Sequence, residues 1–247
     1  MKRILLFTST LALFLSCKDN STGPLTPGEM LARITVDGKV EETKEYRNGR
    51  LIKESNFGGC DTPFMVHEYS YEGDRIAASS AAMRGIYSSL STALCNPEGK
   101  YERSERRFEY DKEGRLSSSG NGQTTITYSY DGPVITMRYV NNQTGKVSTE
   151  TVMKTDANGN IVEVSNPESA GGGVTRYEYD KKVNPLYKIK SMRIGAMSPF
   201  ESSPNNVIKA YDKNGKVLWE RKFSYNLKDL PEKCLETNGV TYHYHYQ

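Results

Sequence analysis

The 247 residues hold three histidines, one tryptophan and four cysteines, and none stands in a spacing that builds a reactive centre. Val66-His67-Glu68 lacks the second histidine, four residues on, that a zinc-protease helix needs. His243 and His245 alternate with Tyr242, Tyr244 and Tyr246, so they share one face of a strand and read as a polar side opposite an aromatic one. No Cys-x-x-Cys or Cys/His spacing points to zinc. There is no Gly-x-Ser-x-Gly elbow and no phosphate-binding loop. Gly171-Gly172-Gly173 runs into Val-Thr-Arg-Tyr without the lysine and helix of a phosphate cradle, and reads as a flexible loop. No metal, cofactor or catalytic residue is expected, and the chain reads as a non-enzyme. A long helical period is missing too, which leaves an all-β chain.

What is present begins with an export signal. Lys2 and Arg3 precede an uncharged, mostly apolar run from Ile4 to Leu15, then the small Ser16 and Cys17. The run is too short to span a bilayer, which takes roughly 20 residues. A cysteine directly after a small residue resembles the lipobox of bacterial lipoproteins, with Phe14 where leucine is usual. The resemblance implies that residues 1–16 are removed and that Cys17 becomes a lipidated first residue, held to a membrane by several acyl chains. The remainder has 31 bases against 30 acids, so no basic footprint for nucleic acid exists. Residues 17–28 read as the anchor and a polar tether, whose eleven residues after the cysteine reach roughly 35 Å when extended. Lys18-Asp19-Asn20 resembles, loosely, the surface-export tag of some Gram-negative lipoproteins. The expected place is the cell envelope, lipid-anchored in the outer membrane, with the surface and the periplasmic side both open. Of the other cysteines, Cys60 and Cys95 lie in glycine- or proline-flanked loop text and are expected to pair. Cys234 sits in a strand-like run and reads as a buried thiol.

Beyond the tether the chain repeats. Phe108-Glu-Tyr110-Asp111-Lys-Glu-Gly114-Arg115-Leu116 is the clearest copy, and Ala210-Tyr211-Asp212-Lys-Asn-Gly215-Lys-Val217 the second. Weaker copies run through Tyr69/Tyr71/Gly73/Ile76, Tyr128/Tyr130/Asp131/Gly132, Tyr46/Gly49/Leu51 and Asp156/Gly159/Ile161. Tyr177/Tyr179/Asp180 and Phe223/Tyr225/Asn226 keep the aromatic pair and lose the glycine. Aromatics two apart share a strand face, Asp or Asn opens a turn by accepting nearby amides, Gly supplies positive φ, and an aliphatic residue begins the return strand. Each unit is a hairpin. Asp111, Asp131, Asp180 and Asp212 are thus read as turn residues rather than as a glycosidase pair. The stretch 77–94 reads as a strand followed by a long loop, with a helix as the alternative.

Tyr110-Asp111-x-x-Gly114-Arg115-Leu116 is very similar to the core of YD repeats of the RHS type. That resemblance implies a curved or spiralling antiparallel sheet, and it points to the small YD-repeat lipoproteins of Gram-negative envelopes. The expected fold is an antiparallel meander of YD-type hairpins, about ten or more strands, forming one curved sheet over residues 29–247, with 29–100 the less regular part. The tyrosines read chiefly as cross-strand ladders, and Trp219 as core. The expected role is a membrane-anchored module binding a glycan or protein on the extended sheet. The alternatives are a carrier that shelters an apolar molecule on a concave face, and a carbohydrate-active enzyme.

Overall fold

The computed structural model describes residues 26–84, 95, 100–166, 173–189 and 198–247. Sixteen strands follow one another in these residues. The first eight are β1 (Leu31–Val36), β2 (Lys39–Arg47), β3 (Arg50–Asn56), β4 (Met65–Glu72), β5 (Arg75–Arg84), β6 (Tyr101–Tyr110), β7 (Leu116–Gly120) and β8 (Thr124–Asp131). The second eight are β9 (Val134–Asn141), β10 (Val147–Thr155), β11 (Ile161–Asn166), β12 (Gly173–Val183), β13 (Asn205–Tyr211), β14 (Val217–Tyr225), β15 (Pro231–Glu236) and β16 (Thr241–Tyr246). Each pairs antiparallel with the next, and β1 pairs with β16 through Ile34↔Tyr244 and Val36↔Tyr242.

That last pairing corrects the expected open sheet: the meander closes into a sixteen-stranded barrel. Closure satisfies the two free edges an open sheet would leave. Five strands lie within residues 31–84, and β5 occupies 75–84; residues 85–94 of the ambiguous stretch lie outside the described residues.

Alternation sorts the side chains. Ile126, Tyr128, Met137 and Met153 face inward and pack with Leu116 and Ile161, backed by Phe108, Tyr110, Tyr130 and Tyr139. Across the barrel Leu31, Ile34, Leu51 and Ile189 form a second cluster with Tyr46, Tyr69, Tyr242, Tyr244 and Tyr246. Most outward positions are polar, and many are cross-linked, although Val147, Leu218 and Leu235 are exposed as well. Lys53 pairs with Glu45 at 2.9 Å, Arg138 with Glu150 at 2.6 Å, and Glu163 with both Lys154 at 2.7 Å and Arg176 at 2.9 Å. Lys209 pairs with Glu220 on the same wall.

The tyrosine of the repeat has one recurring task. Between an odd strand and the even strand after it, the ladder stops short of the end that carries the even-to-odd turns. For β5 and β6 the last pair is Ala78↔Arg107, and for β7 and β8 it is Ser118↔Thr127. The first two to four residues of these odd strands then lack ladder partners on that side. Tyrosine hydroxyls supply them: Tyr46 donates to the Leu31 carbonyl (2.8 Å), Tyr71 to Leu51 (2.7 Å), Tyr110 to Ile76 (3.0 Å) and Tyr130 to Leu116 (2.9 Å). Tyr179 does so for Ile161 (2.5 Å) and Tyr246 for Pro231 (2.8 Å). The accepting residues are buried, so an unmet carbonyl there would carry its full desolvation cost. Between β9 and β10 the ladder runs to its end, and Thr155 takes over, its amide and hydroxyl both donating to the Pro133 carbonyl.

The connection from β12 to β13 enters the barrel instead of crossing its rim. It carries two single-turn helices, α1 (Pro185–Lys188) and α2 (Pro199–Ser202), each opened by a cap and a proline: Asn184 for α1, Ser198 for α2. The Asn184 amide also donates to the carbonyls of Phe200 (2.5 Å) and Ser203 (2.9 Å), which ties the two helices together. Leu186 and Ile189 join the β1–β3–β16 cluster, while Phe200 stacks on Trp219 at 5.5 Å and meets Tyr177 edge-on. Sixteen strands would ordinarily enclose an aqueous channel; here the inward tyrosines and this plug occupy the interior at the tyrosine end.

Candidate functional site

The stop in the β5–β6 ladder opens a cleft. Below Ala78↔Arg107 the strands part, and the gap is lined on one side by Glu72, Asp74, Arg75 and Ile76 and on the other by Arg107, Phe108, Glu109 and Tyr110. Its volume is about 810 Å³. A second hollow of about 420 Å³ lies over β6 to β8 and shares Arg107 and Glu109 with the first. Its other lining residues include Ser118, Gly120 and Thr125, whose small size leaves the long side chains of β6 standing in a trough.

Two aromatic edges, two guanidinium groups and three carboxylates therefore meet in one open cleft. Arg75 lies over the Tyr110 ring, 5.2 Å from its centre, and Glu109 accepts from the Ser118 hydroxyl at 2.8 Å. Burial pushes the Tyr110 phenol above its ordinary range, against the pull of Arg75 and of its bond to Ile76, so it stays a neutral donor. Planar rings beside fixed forks of donors and acceptors are the chemistry that holds a polyhydroxylated ligand.

A second group of charges lies inside the barrel. Lys44, 4 % exposed, sits between Glu42 and Glu54, and Asn56 donates to Glu54 at 3.1 Å. Desolvation lowers the Lys44 pKa although Glu54 opposes it. Glu201 of α2 is raised, first by burial and then by Glu54, with Lys44 opposing. His67 is lowered by burial. Lys44, Glu42 and Glu54 pair on the wall, and the charges of Lys44 and Glu54 reach Glu201 of the plug and His67. Among the described residues no group of three or more His, Cys, Asp or Glu is placed to hold a metal ion.

The residues singled out in the sequence fall as follows. Cys17 lies outside the described residues. Cys60 and Cys95 are bridged, with Cα atoms 5.1 Å apart, and Cys234 is a buried free thiol whose pKa burial raises to about 11. Tyr110, Asp111 and Gly114 work as one unit. The Asp111 carboxylate accepts from the Arg115 amide (2.8 Å) and Nε (2.7 Å), and Gly114 has φ +80°. Asp212 and Gly215 make the same turn, with φ +83° at the glycine. That turn lies at the opposite end of the barrel, and Tyr211 stands on the outer wall, bonded to Glu178 at 2.6 Å. Tyr110 and Tyr211 thus share a motif and not a role. Asp180 is no turn residue: it accepts from Asn206 and from the Tyr225 hydroxyl inside β12. His243 and His245 face outward on β16, with His245 against the Thr35 hydroxyl at 3.3 Å.

Sequence reasoning missed the arginine of the Gly-Arg-Leu step. Arg50, Arg75 and Arg115 lie over Tyr71, Tyr110 and Tyr130 at 5.6, 5.2 and 4.4 Å, the same rings whose hydroxyls bond the next residue's carbonyl. The signal was its recurrence immediately before the aliphatic residue in three copies.

No family model matches the chain, and no curated protein does. Solved structures similar to it include a porin-like protein from Bacteroides vulgatus, 14 % identical, with 88 % of this chain and 98 % of that one covered at a TM-score of 0.47. A porin-like protein from Bacteroides uniformis is 11 % identical, covering 91 % of this chain and 100 % of that one at a TM-score of 0.42. A complex described as TcdB2-TccC3-Cdc42 matches at 10 % identity and a TM-score of 0.27, over 84 % of this chain and 12 % of that one. Likenesses this distant carry no argument about function; the barrel stands on its own strand pairing.

Proposed function

We propose that the protein is a lipid-tethered, non-enzymatic binding module of the bacterial envelope, a YD-type repeat barrel that stands in water and takes a glycan in the cleft beside β6. The observation that carries the ligand class is the cleft itself, with Phe108 and Tyr110 beside Arg75, Arg107, Glu72, Asp74 and Glu109. Its size falls in the range of about 300–1,000 Å³ usual for ligand sites. The outer wall supports the placement. A bilayer-spanning barrel shows lipid an apolar band, and a base at mid-bilayer costs about 2–4 kcal/mol. Arg138, Lys154, Arg176 and Lys209 all stand on this wall with acid partners. The aromatic clusters and the plug at the tyrosine end do not favour a carrier, because cargo there would have to displace the protein's own side chains.

Titration calorimetry against a panel of envelope oligosaccharides tests the ligand. Binding that falls at least tenfold in Arg107→Ala/Glu109→Ala, with the melting temperature unchanged, supports the reading. No binding by the unsubstituted protein, or full binding by the variant, rejects it. Membrane fractionation of Cys17→Ser tests the tether: the variant is expected in the soluble fraction, and continued sedimentation with membranes refutes lipidation at Cys17.

A further inference from the structure

The described chain enters the barrel beside the turn between β14 and β15. Gly28 donates its amide to the Gln247 carbonyl at 2.7 Å, and Lys228 Nζ reaches the Pro27 carbonyl at 3.5 Å. On that turn Leu227 is fully exposed, at 108 % of its reference area; the next large apolar side chain among the described residues is Leu218 at 51 %. No described residue covers Leu227, and a turn closed by Asn226 and Asp229 does not need an apolar residue there.

Bases surround it. Lys228 is the next residue. Lys233 on β15 stands opposite His243 on β16, and Arg33 on β1 stands opposite His245, all on the outward side of adjoining strands. Arg33, Lys228 and Lys233 have no ion-pair partner among the described residues, whereas Arg138, Lys154, Arg176 and Lys209 do. The acids close by are engaged, Glu29 with Lys188 and Asp229 with Lys182, which leaves Glu232 at the border.

We propose that this corner of the barrel rests on an anionic lipid surface, with Leu227 entering the boundary between headgroups and acyl chains and Lys228, Lys233 and Arg33 meeting lipid phosphate. The proposal rests on the tethered reading, since lipid on Cys17 would hold the surface within the tether's reach of Thr26. An apolar residue flanked by bases is the pattern an anionic interface takes up. The corner would turn the even-to-odd turns toward the lipid, and the odd-to-even loops, with the Cys60–Cys95 bridge, away from it.

Vesicles of phosphatidylcholine, with and without phosphatidylglycerol, are sedimented with the full chain carrying Cys17→Ser, so that residues 1–25 are the same in every variant. Binding is expected to be stronger to the anionic vesicles. Each base near such a surface contributes about fivefold, so Arg33→Gln/Lys233→Gln is expected to bind them about 25-fold more weakly. Leu227→Asp is expected to lower binding at least tenfold, and Lys112→Gln, on another turn at the same end, to leave it unchanged. Equal binding to both vesicles, full binding by Leu227→Asp, or an equal loss in Lys112→Gln overturns the proposal. The tether is read independently by fractionating cells that express the unsubstituted chain and Cys17→Ser, so a failed tether and a failed corner give different results.

Discussion

The Tyr110 hydroxyl donates to the Ile76 carbonyl at 3.0 Å, across 34 residues of sequence. The bond stands where the β5–β6 ladder has already stopped. It holds the two strands together at the floor of the cleft, and five other tyrosines make the same bond around the barrel.

Tyr110→Phe removes the donor and leaves a buried carbonyl unmet. The expected loss is about 1–2 kcal/mol in urea unfolding. Tyr211→Phe, the same residue of the repeat on the outer wall, is expected to change stability by less than about 0.5 kcal/mol. Equal losses in the two variants would refute the division of roles.

Glycine at the turn position is required by φ. Gly114→Val and Gly215→Val are each expected to destabilise by about 1–2 kcal/mol. The two losses should be alike, because the atom 2.9 Å from a Cβ at Gly114 is the far end of the Arg75 side chain, which can swing aside, and a Cβ at Gly215 meets nothing. Asp229 occupies the equivalent place with φ +59°. Asp229→Gly is therefore expected to stabilise by a few tenths of a kcal/mol, set against the loss of an exposed ion pair with Lys182. Thermal melting of the three variants checks the order.

Glu201 gives the plug a pH dependence of unusual sign. Its folded pKa is raised above 4.5 by burial, so the folded state holds this proton more tightly than the unfolded chain. The contribution is fully present below pH 4.5 and is lost as pH rises through the folded value. Glu201→Gln is expected to melt higher than the unsubstituted protein at pH 7, with the difference shrinking as pH falls toward 4.5. A difference independent of pH would mean that Glu201 does not titrate in that window.

The Cys60–Cys95 bridge closes 35 residues. Cys60→Ser/Cys95→Ser is expected to cost about 2–4 kcal/mol, through the unfolded state. Reducing agent should lower the melting temperature of the unsubstituted protein to that of the variant, and leave the variant unmoved.

The hairpins were legible because their grammar is local: an aromatic pair, an Asp, a Gly and an aliphatic residue within ten positions. Closure was not, since an open meander and a barrel share that grammar and differ only in whether Ile34 finds Tyr244. The reversed copy at Tyr211 was hidden for a related reason. A turn motif fixes φ and the carboxylate's bonds, but which end of the barrel it serves depends on counting strands from β1. The roles of Arg75 and Arg115 were hidden because their ring contacts belong to the next hairpin. The cleft was invisible as well, for it follows from where a ladder stops and no residue type marks that point.

Sealing joins the two strands farthest apart in the chain, and contacts of such long separation form late. During synthesis β1 emerges first and keeps one side unmated until β16 has been made. For that interval the protein carries an open seam that other β chains could join. Arg33 on one lip, and His243 and His245 on the other, put polar and chargeable groups along it. Those outward side chains discourage a stranger's strand while the rightful one is still on its way.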